Sequence, residues 1–212
     1  MIFFLVQKKI VGREFSCILV QEKKLSWTPL EPTEIVHKNK NYFFNYVDKY
    51  LPGASLKYTP ARFKKTVIAK IKSICVDVAN ILDARGIIRI DGFVDSDDNI
   101  IILEANPFPG SAPSSFTFIQ AAHNGMTHSD LINHIIEQAV YVNNPIESDF
   151  KPVRQVNMVK KKKIAVVLGG NNAEKDVSLE SGRNVIYKLS RDRYDICPLF
   201  LSKDLKFYKK IE

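Results

Sequence analysis

Two apolar stretches near the middle of the chain carry four polar residues, spaced two apart within each stretch. These residues are Arg89, Asp91, Glu104 and Asn106. Alternate residues of a β-strand point to the same face, so each pair is expected to share one face of its strand. Carboxylate and amide oxygens suit Mg²⁺ or Mn²⁺, and the set contains no thiolate or imidazole of the kind that zinc prefers. The four residues therefore predict a magnesium or manganese site whose remaining ligands are substrate phosphates.

The segment between the stretches, Asp95-Ser96-Asp97-Asp98-Asn99, is rich in turn-forming residues and predicts a β-hairpin. We expect Val94 to pair with Ile101, which places the two carboxylates opposite each other and the arginine opposite the asparagine. Facing carboxylates about 5 Å apart at Cβ repel each other, so a cation is expected between them. The other face of the hairpin is predicted to be apolar and comprises Ile88, Ile90, Leu103 and Ala105. The alternative is a half-exposed hairpin whose polar face is merely hydrated.

Length and composition indicate a globular protein with a substantial core. The chain has 212 residues, of which 45% are hydrophobic, and no apolar run approaches the roughly 20 residues of a membrane span. The opening MIFFLV is too short for the apolar region of a signal peptide and predicts a buried strand. The three cysteines are far apart, which indicates neither disulfides nor a zinc site and fits a reducing cytoplasm. The net charge of +8 is scattered except at Lys160 to Lys163, so we expect neither a nucleic-acid partner nor membrane association.

Periodicity and turn signals predict the elements before the hairpin. Residues 1–20 are expected to form two strands, and residues 23–45 a loop-rich excursion whose two prolines forbid regular structure. Residues 45–55 form either a mobile surface loop or a loop that its aromatic residues pack down. Pro60 precedes a predicted helix that runs to about Arg85 and is ended by Gly86.

Two helices are predicted after the hairpin. The first is capped by Ser114 or Ser115 and runs to about Asn124, and the second is capped by Thr127 or Ser129 and runs to about Val140. Three histidines lie in or beside these helices, without a carboxylate partner at helical spacing, and are expected to be structural or surface residues. They are His123, His128 and His134.

A second unit is predicted after a polar, proline-bearing linker at residues 143–163. It begins with a buried strand at 164–168, turns at a glycine-rich loop at 169–172 and continues with an amphipathic helix at 177–190. Residues 194–201 are expected to start the next parallel strand. A strand, a glycine-rich turn and a helix in that order open a doubly wound α/β unit.

Two separate segments resemble one enzyme family. RIDGFVDSDDNIIILEANPFPGSAPSS, together with NYVDKYLPG and GREFS, resembles the C-terminal catalytic segment of ATP-grasp enzymes, and of D-alanine–D-alanine ligases in particular. KIAVVLGGNNAEKDVSLESGRNVIYKL resembles the N-terminal opening of the same family. The resemblance implies an α+β ATP-grasp C-terminal domain, with an antiparallel sheet and helices, at residues 1–142. It implies a linker at 143–162 and the start of a Rossmann-like α/β unit at 163–212.

The resemblance also implies how the site binds its nucleotide. Asp91, Glu104 and Asn106 would bind the metal ions that bridge the ATP phosphates, and Arg89 would steady the transferring phosphoryl group. Residues expected to contact adenine, ribose or the lid over the site are Gln7, Lys8, Ile10, Glu14, Lys49 and Tyr50. Gln7 stands where the family usually has a glutamate.

The same resemblance implies an amino-acid substrate site. Gly110 would supply a backbone donor to the oxyanion, Ser115 would receive the carboxylate of the second D-alanine, and Glu174 would hold the ammonium of the first. In the implied reaction one D-alanine takes the γ-phosphate of ATP to form an acyl phosphate, which the amine of the second attacks. The product is a precursor of peptidoglycan, the cell-wall polymer.

The order of the two segments is the reverse of the family's usual order. We find no counterpart in this sequence of the intervening segment, with its glycine-rich loop and the lysines that grip ATP phosphates. We therefore infer the junction of a tandem ligase, in which a tandem copy or a homo-oligomer supplies the missing segment. The alternatives are another ATP-grasp carboxylate–amine ligase and a non-catalytic nucleotide-binding remnant.

Overall fold

A computed structural model describes residues 9–22, 25–37, 55–143 and 161–209. The elements, in chain order, are β1 (Arg13–Gln21), β2 (Trp27–Pro29), β3 (Thr33–His37), β4 (Ser55–Tyr58), α1 (Lys65–Ile81), β5 (Ile87–Val94), β6 (Ile100–Asn106), α2 (Phe116–His123), α3 (His128–Asn143), β7 (Lys162–Gly169), α4 (Lys175–Lys188), β8 (Tyr194–Leu201) and β9 (Phe207–Tyr208). The described residues up to 143 are called the first unit and residues 161–209 the second unit. The predictions for MIFFLV and for most of the 45–55 loop and the linker lie outside the described residues.

The first unit is built on an antiparallel sheet of six strands. The strand order is β4-β3-β1-β5-β6, and β2 also pairs with β1. The prediction that residues 23–45 lack regular structure is wrong for β2 and β3. Pro29 ends a strand that pairs on one side only and Pro32 immediately precedes β3, and both are positions where a missing N–H breaks no ladder bond.

Helix α1 covers one face of the sheet. Its buried residues are Val67, Ile71, Cys75 and Ala79, and the strand residues they pack with include Phe15, Cys17, Leu19, Ile88, Ile90 and Val94. The amphipathic helix is confirmed, but its predicted end is wrong. It stops at Ile81 because Asp83 adopts a φ of 46°, and the N–H of Ala84 then bonds to the carbonyl of Ala79 over 3.1 Å. Gly86, with a φ of 73°, belongs instead to the turn into β5.

The opposite face of the sheet is covered by α2, α3 and the second unit. The hydrophobic cluster there contains Ile18, Val20, Leu30, Phe118, Ala121, Leu131 and Ile132 from the first unit and Val166, Leu189 and Tyr194 from the second. Thr127 caps α3 as predicted: its Oγ1 accepts from the N–H of Asp130 over 3.1 Å, and its own N–H donates to the Asp130 carboxylate over 2.9 Å.

The second unit has the predicted strand–turn–helix–strand order. β7 and β8 are parallel, α4 connects them, and β9 pairs antiparallel with β8. The turn after β7 requires glycine, since Gly169 has a φ of 106° and a methyl group there would lie 2.4 Å from the carbonyl oxygen of Leu201.

The β5–β6 hairpin is confirmed, but its register differs from the prediction near the turn. Val94 pairs with Ile100 rather than with Ile101. An irregularity between Asp91 and Gly92 then shifts the pairing by one residue, which leaves Leu103 unpaired and 51% exposed rather than on the apolar face. Beyond this bulge the predicted pairs are restored, so the two carboxylates face each other and the arginine faces the asparagine.

The bulge depends on a glycine, and this dependence is testable. A methyl group at Gly92 would lie 2.5 Å from the carbonyl oxygen of Ile101 and 2.8 Å from the Phe15 ring, so both strands would have to move. We expect Gly92→Ala to lower the free energy of unfolding by about 2 kcal/mol, measured by urea denaturation. Gly110→Ala is the control, because nothing lies within 4 Å of its added methyl group. Equal urea midpoints for the two variants would contradict this account.

Candidate active site

Arg89 is the cation between the two facing carboxylates. Its Nε lies 3.1 and 3.0 Å from the two carboxylate oxygens of Asp91, and its Nη2 lies 2.9 Å from Asp91 Oδ2. The same Nη2 is 3.7 Å from Glu104 Oε1. The strand pairing alone would leave two like charges opposed, and the guanidinium two residues along β5 compensates them. Arg89 therefore supplies positive charge beside both carboxylates, and the metal ion expected between them stays a prediction.

Asn106 completes the cluster from the end of β6. Its Nδ2 donates to Glu104 Oε1 over 3.1 Å and is 3.4 Å from Asp91 Oδ2. The structure thus brings together all four residues that the sequence singles out. Two carboxylates and an amide, all with hard oxygen atoms, form a donor set that fits Mg²⁺ or Mn²⁺. For the Asn106 oxygen to join it, the amide would turn its other side toward the carboxylates.

Burial makes Asp91 an unusual carboxylate. It is 8% exposed, and loss of water raises its pKa above the usual 3.8. The Arg89 guanidinium lowers the pKa of Asp91 and the Glu104 carboxylate raises it, but the desolvation dominates. Asp91 is therefore a charge that the folded protein holds at some cost.

Strand β1 adds two polar residues to the same face. Ser16 lies directly opposite Asp91, and Glu14 is two residues away, opposite Phe93. Diagonal neighbours in a sheet are about 7 to 8 Å apart, so the predicted ribose ligand Glu14 is close to the predicted metal ligands. Ser16 is fully buried and was not predicted from the sequence. Its position two residues after Glu14 could have indicated it, because alternate residues of a strand share one face.

The loop after β6 leads to the predicted substrate residues Gly110 and Ser115. The carbonyl oxygen of Gly110 accepts from Thr117 Oγ1 over 2.9 Å. Ser115 occupies the N-cap position of α2, as predicted, but its hydroxyl makes no capping bond. Among the described residues, its Oγ is buried and has no hydrogen-bond partner. A buried hydroxyl of this kind is uncommon and is available to a ligand.

Glu174 lies exposed at the start of α4 in the second unit. It occupies the N-cap position of α4, and its backbone N–H donates to Asn172 Oδ1 over 3.2 Å. Seven residues further along α4, Ser181 contacts Ser111, which directly follows Gly110. Glu174 therefore begins a helix that runs to the loop bearing Gly110.

The remaining predicted residues divide into described and undescribed positions. Ile10 is half-buried just before β1. Gln7, Lys8, Lys49 and Tyr50 lie outside the described residues, so their predicted contacts remain predictions. His128 stacks on Phe118 with ring centroids 4.0 Å apart, and His134 Nε2 lies 2.9 Å from the carbonyl oxygen of Gln21. His128 therefore packs on an aromatic ring and His134 bonds to the backbone, as expected of structural residues.

The described parts of the chain hold neither a further metal-binding cluster nor a membrane-spanning helix. No three His, Cys, Asp or Glu side chains gather into a metal-binding group there. No described helix has the length and apolar character needed to span a bilayer.

Comparison with known sequences identifies the family. The family model described as "D-ala D-ala ligase C-terminus" matches residues 3–137, well over half of the chain. The chain belongs to the D-alanine–D-alanine ligase family. The model described as "D-ala D-ala ligase N-terminus" matches residues 163–212, so the two parts of the family occur here in reversed order.

Individual relatives match about two thirds of the chain. A D-alanine–D-alanine ligase of Azobacteroides pseudotrichonymphae is 34% identical over 133 residues, which is 63% of this chain and 40% of that relative. The enzyme of Porphyromonas gingivalis is 32% identical over 136 residues, or 64% of this chain and 40% of the relative. The chain thus spans about two fifths of the length of these relatives.

Solved structures of the ligase family share the fold. The D-alanine–D-alanine ligase of Coxiella burnetii has a TM-score of 0.54 and 21% identity, covering 67% of this chain and 36% of that one. The ligase of Bacillus anthracis complexed with ATP has a TM-score of 0.53 and 23% identity, covering 66% and 43%. The predicted α+β ATP-grasp fold is confirmed.

Neutralising two different carboxylates of the same hairpin is predicted to change the free energy of unfolding in opposite directions. The folded state raises the pKa of Asp91, so the ionised carboxylate destabilises the fold. This destabilisation is complete at pH values above the raised pKa. We expect Asp91→Asn to raise the free energy of unfolding at pH 7 by about 0.5 to 1 kcal/mol. The difference from the unaltered protein should vanish below pH 3.8, where Asp91 is protonated in both states.

Asp95→Asn is the matched control. Hydrogen bonds from the Asn99 side chain and from the backbone N–H groups of Asn99 and Asp97 hold the pKa of Asp95 below 3.8. This carboxylate stabilises the fold above pH 3.8 and loses that effect as the pH falls through its lowered pKa. Asp95→Asn should therefore destabilise the protein at pH 7. Urea denaturation across pH tests both variants, and a loss of stability in Asp91→Asn would contradict the assignment.

Proposed function

We propose that this chain carries part of the active site of an ATP-dependent ligase that joins two D-alanines through an acyl phosphate. The observation that carries the proposal is the cluster of Arg89, Asp91, Glu104 and Asn106 on one face of the β5–β6 hairpin. The named relatives are D-alanine–D-alanine ligases, and one solved neighbour was crystallised with ATP. The product would serve peptidoglycan synthesis in the cytoplasm.

Asp91, Glu104 and Asn106 would hold Mg²⁺ or Mn²⁺. When bound, such an ion neutralises phosphate charge and polarises the phosphoryl oxygens. Arg89 already lies against both carboxylates, and a guanidinium that touches them is well placed to contact a phosphoryl group beside them. Glu14, on the neighbouring strand, would hold the ribose hydroxyls. Gln7, Lys8, Ile10, Lys49 and Tyr50 would complete the nucleotide site.

The amino-acid side of the site would be formed by three residues. The buried, unpartnered hydroxyl of Ser115 supports its proposed role as the acceptor of a substrate carboxylate, since a hydrogen bond there would satisfy it. The backbone N–H of Gly110 would stabilise the oxyanion. Glu174, at the start of α4, would hold the substrate ammonium by charge.

The isolated chain is expected to turn over slowly or not at all. Its sequence has no counterpart of the glycine-rich loop and lysines with which the family grips ATP phosphates. We expect no phosphate release above background from the purified chain with ATP, Mg²⁺ and D-alanine, measured by a coupled phosphate assay. Robust turnover that Arg89→Ala abolishes would overturn the partial-site proposal.

Nucleotide binding separates the ligase from its alternatives. We expect ATP to bind the chain more tightly with Mg²⁺ than without it, measured by titration calorimetry. Glu104→Gln should weaken the metal-dependent binding about tenfold, the effect of losing roughly 1.4 kcal/mol. Asp97→Asn removes an exposed carboxylate from the same hairpin and should leave ATP affinity unchanged.

ATP affinity without any metal dependence would favour a non-catalytic nucleotide-binding remnant. If ATP affinity depends on the metal but does not change when D-alanine is added to the titration, another carboxylate–amine ligase is favoured.

A further inference from the structure

The two units share one hydrophobic cluster. Leu189, Val166 and Tyr194 of the second unit are buried among residues of β1, α2 and α3. Ser129 Oγ also donates to the carbonyl oxygen of Lys188 over 3.0 Å, and Arg193 forms an ion pair with Glu137. The contact is therefore a packed interface within a single chain.

At the other end of this interface, α4 holds the loop that follows β6. The N–H of Ser111 donates to Ser181 Oγ over 3.1 Å. Asn184 Nδ2 donates to the carbonyl oxygen of Ser111 over 3.0 Å, and Asn184 is only 7% exposed. Both backbone groups of Ser111 are thus bound by the second unit.

These bonds fix one peptide group from two sides. The carbonyl oxygen of Gly110 and the N–H of Ser111 belong to the same planar peptide. Thr117 of the first unit binds its oxygen, and Ser181 of the second unit binds its N–H. The orientation of this peptide helps to set the direction of the Gly110 backbone and the path of the chain to Ser115.

We propose that Ser181 and Asn184 are positioning residues, through which the second unit orders the 109–111 loop of its own chain. The inference rests on the proposed function only in taking this loop to serve the ligase site. Two units on one polypeptide meet at an effective concentration of about millimolar, so pairing within the chain exceeds pairing between chains at ordinary protein concentrations. The second unit therefore orders a loop of the first unit, although the family order would assign it to a following copy.

Hydrogen exchange of the Ser111 amide tests this proposal in the full chain. We expect Ser181→Ala and Asn184→Ala each to speed that exchange about five- to tenfold, measured by NMR or by mass spectrometry of the peptide spanning residues 107–115. Ser181→Thr keeps the hydroxyl acceptor and should restore slow exchange. Ser129→Ala removes a hydrogen bond from the same interface far from the loop and should leave Ser111 unchanged. The exchange is measured over a dilution series of the protein, and light scattering at each protein concentration reports whether the chain is a monomer or a dimer.

Three outcomes would overturn the proposal. They are unchanged Ser111 exchange in both alanine variants, an equal effect of Ser129→Ala, and protection that disappears on dilution as dimers dissociate. If Ser181→Ala does not fold, Asn184→Ala and Ser181→Thr decide the matter. The readout needs neither ATP nor D-alanine, so a protected loop in a chain that binds no nucleotide would reject the proposed function and leave the positioning role standing.

Discussion

The compensation of two facing carboxylates by Arg89 is the interaction on which the candidate site depends. Antiparallel pairing of β5 with β6 opposes Asp91 and Glu104 across the ladder, and burial makes the charge on Asp91 costly. A guanidinium two residues along β5 lies on the same face and contacts both carboxylates. Because this cation is part of the strand, the negative cluster is held in place by the fold itself. Such a preorganised arrangement suits phosphoryl transfer, because the charged groups need not move to stabilise the transition state.

The β-bulge at Leu103 makes this arrangement possible. The five-residue turn at 95–99 sets a register in which Val94 pairs with Ile100, and continuing that register would rotate Glu104 and Asn106 to the other face. One unpaired residue restores them to the face of Arg89 and Asp91. The same bulge lets Ile100, Ile102 and Ala105 all pack toward α1, so the apolar and polar faces are both satisfied. Gly92 permits it because the strands approach too closely for a side chain.

The reversed order of the two family segments does not separate them in space. The second unit buries apolar residues against the face of the sheet that carries the site, and α4 binds the backbone of the loop beyond Asn106. A loop that lies between two units takes its conformation from both. The packing of the two units on each other depends on their complementary surfaces and not on their order in the chain.

The sequence by itself determined the local features of the protein. The polar face shared by β5 and β6, the amphipathic character of α1 and the strand–turn–helix order of the second unit all follow from residues close together in the chain, and all are present. The end of α1 at Ile81 and the pairing of Val94 with Ile100 depend on local backbone conformations that the spacing of apolar residues does not reveal. Tertiary structure decided the rest: the strands at Pro29 and after Pro32, the bulge between Asp91 and Gly92, and the hydrogen bonds of Ser181 and Asn184 to Ser111. These depend on contacts between residues far apart in sequence, where burial and hydrogen-bond satisfaction select among local alternatives of similar energy. The Arg89 cluster lies between the two cases, since its members were evident from spacing but their mutual contact required the bulge.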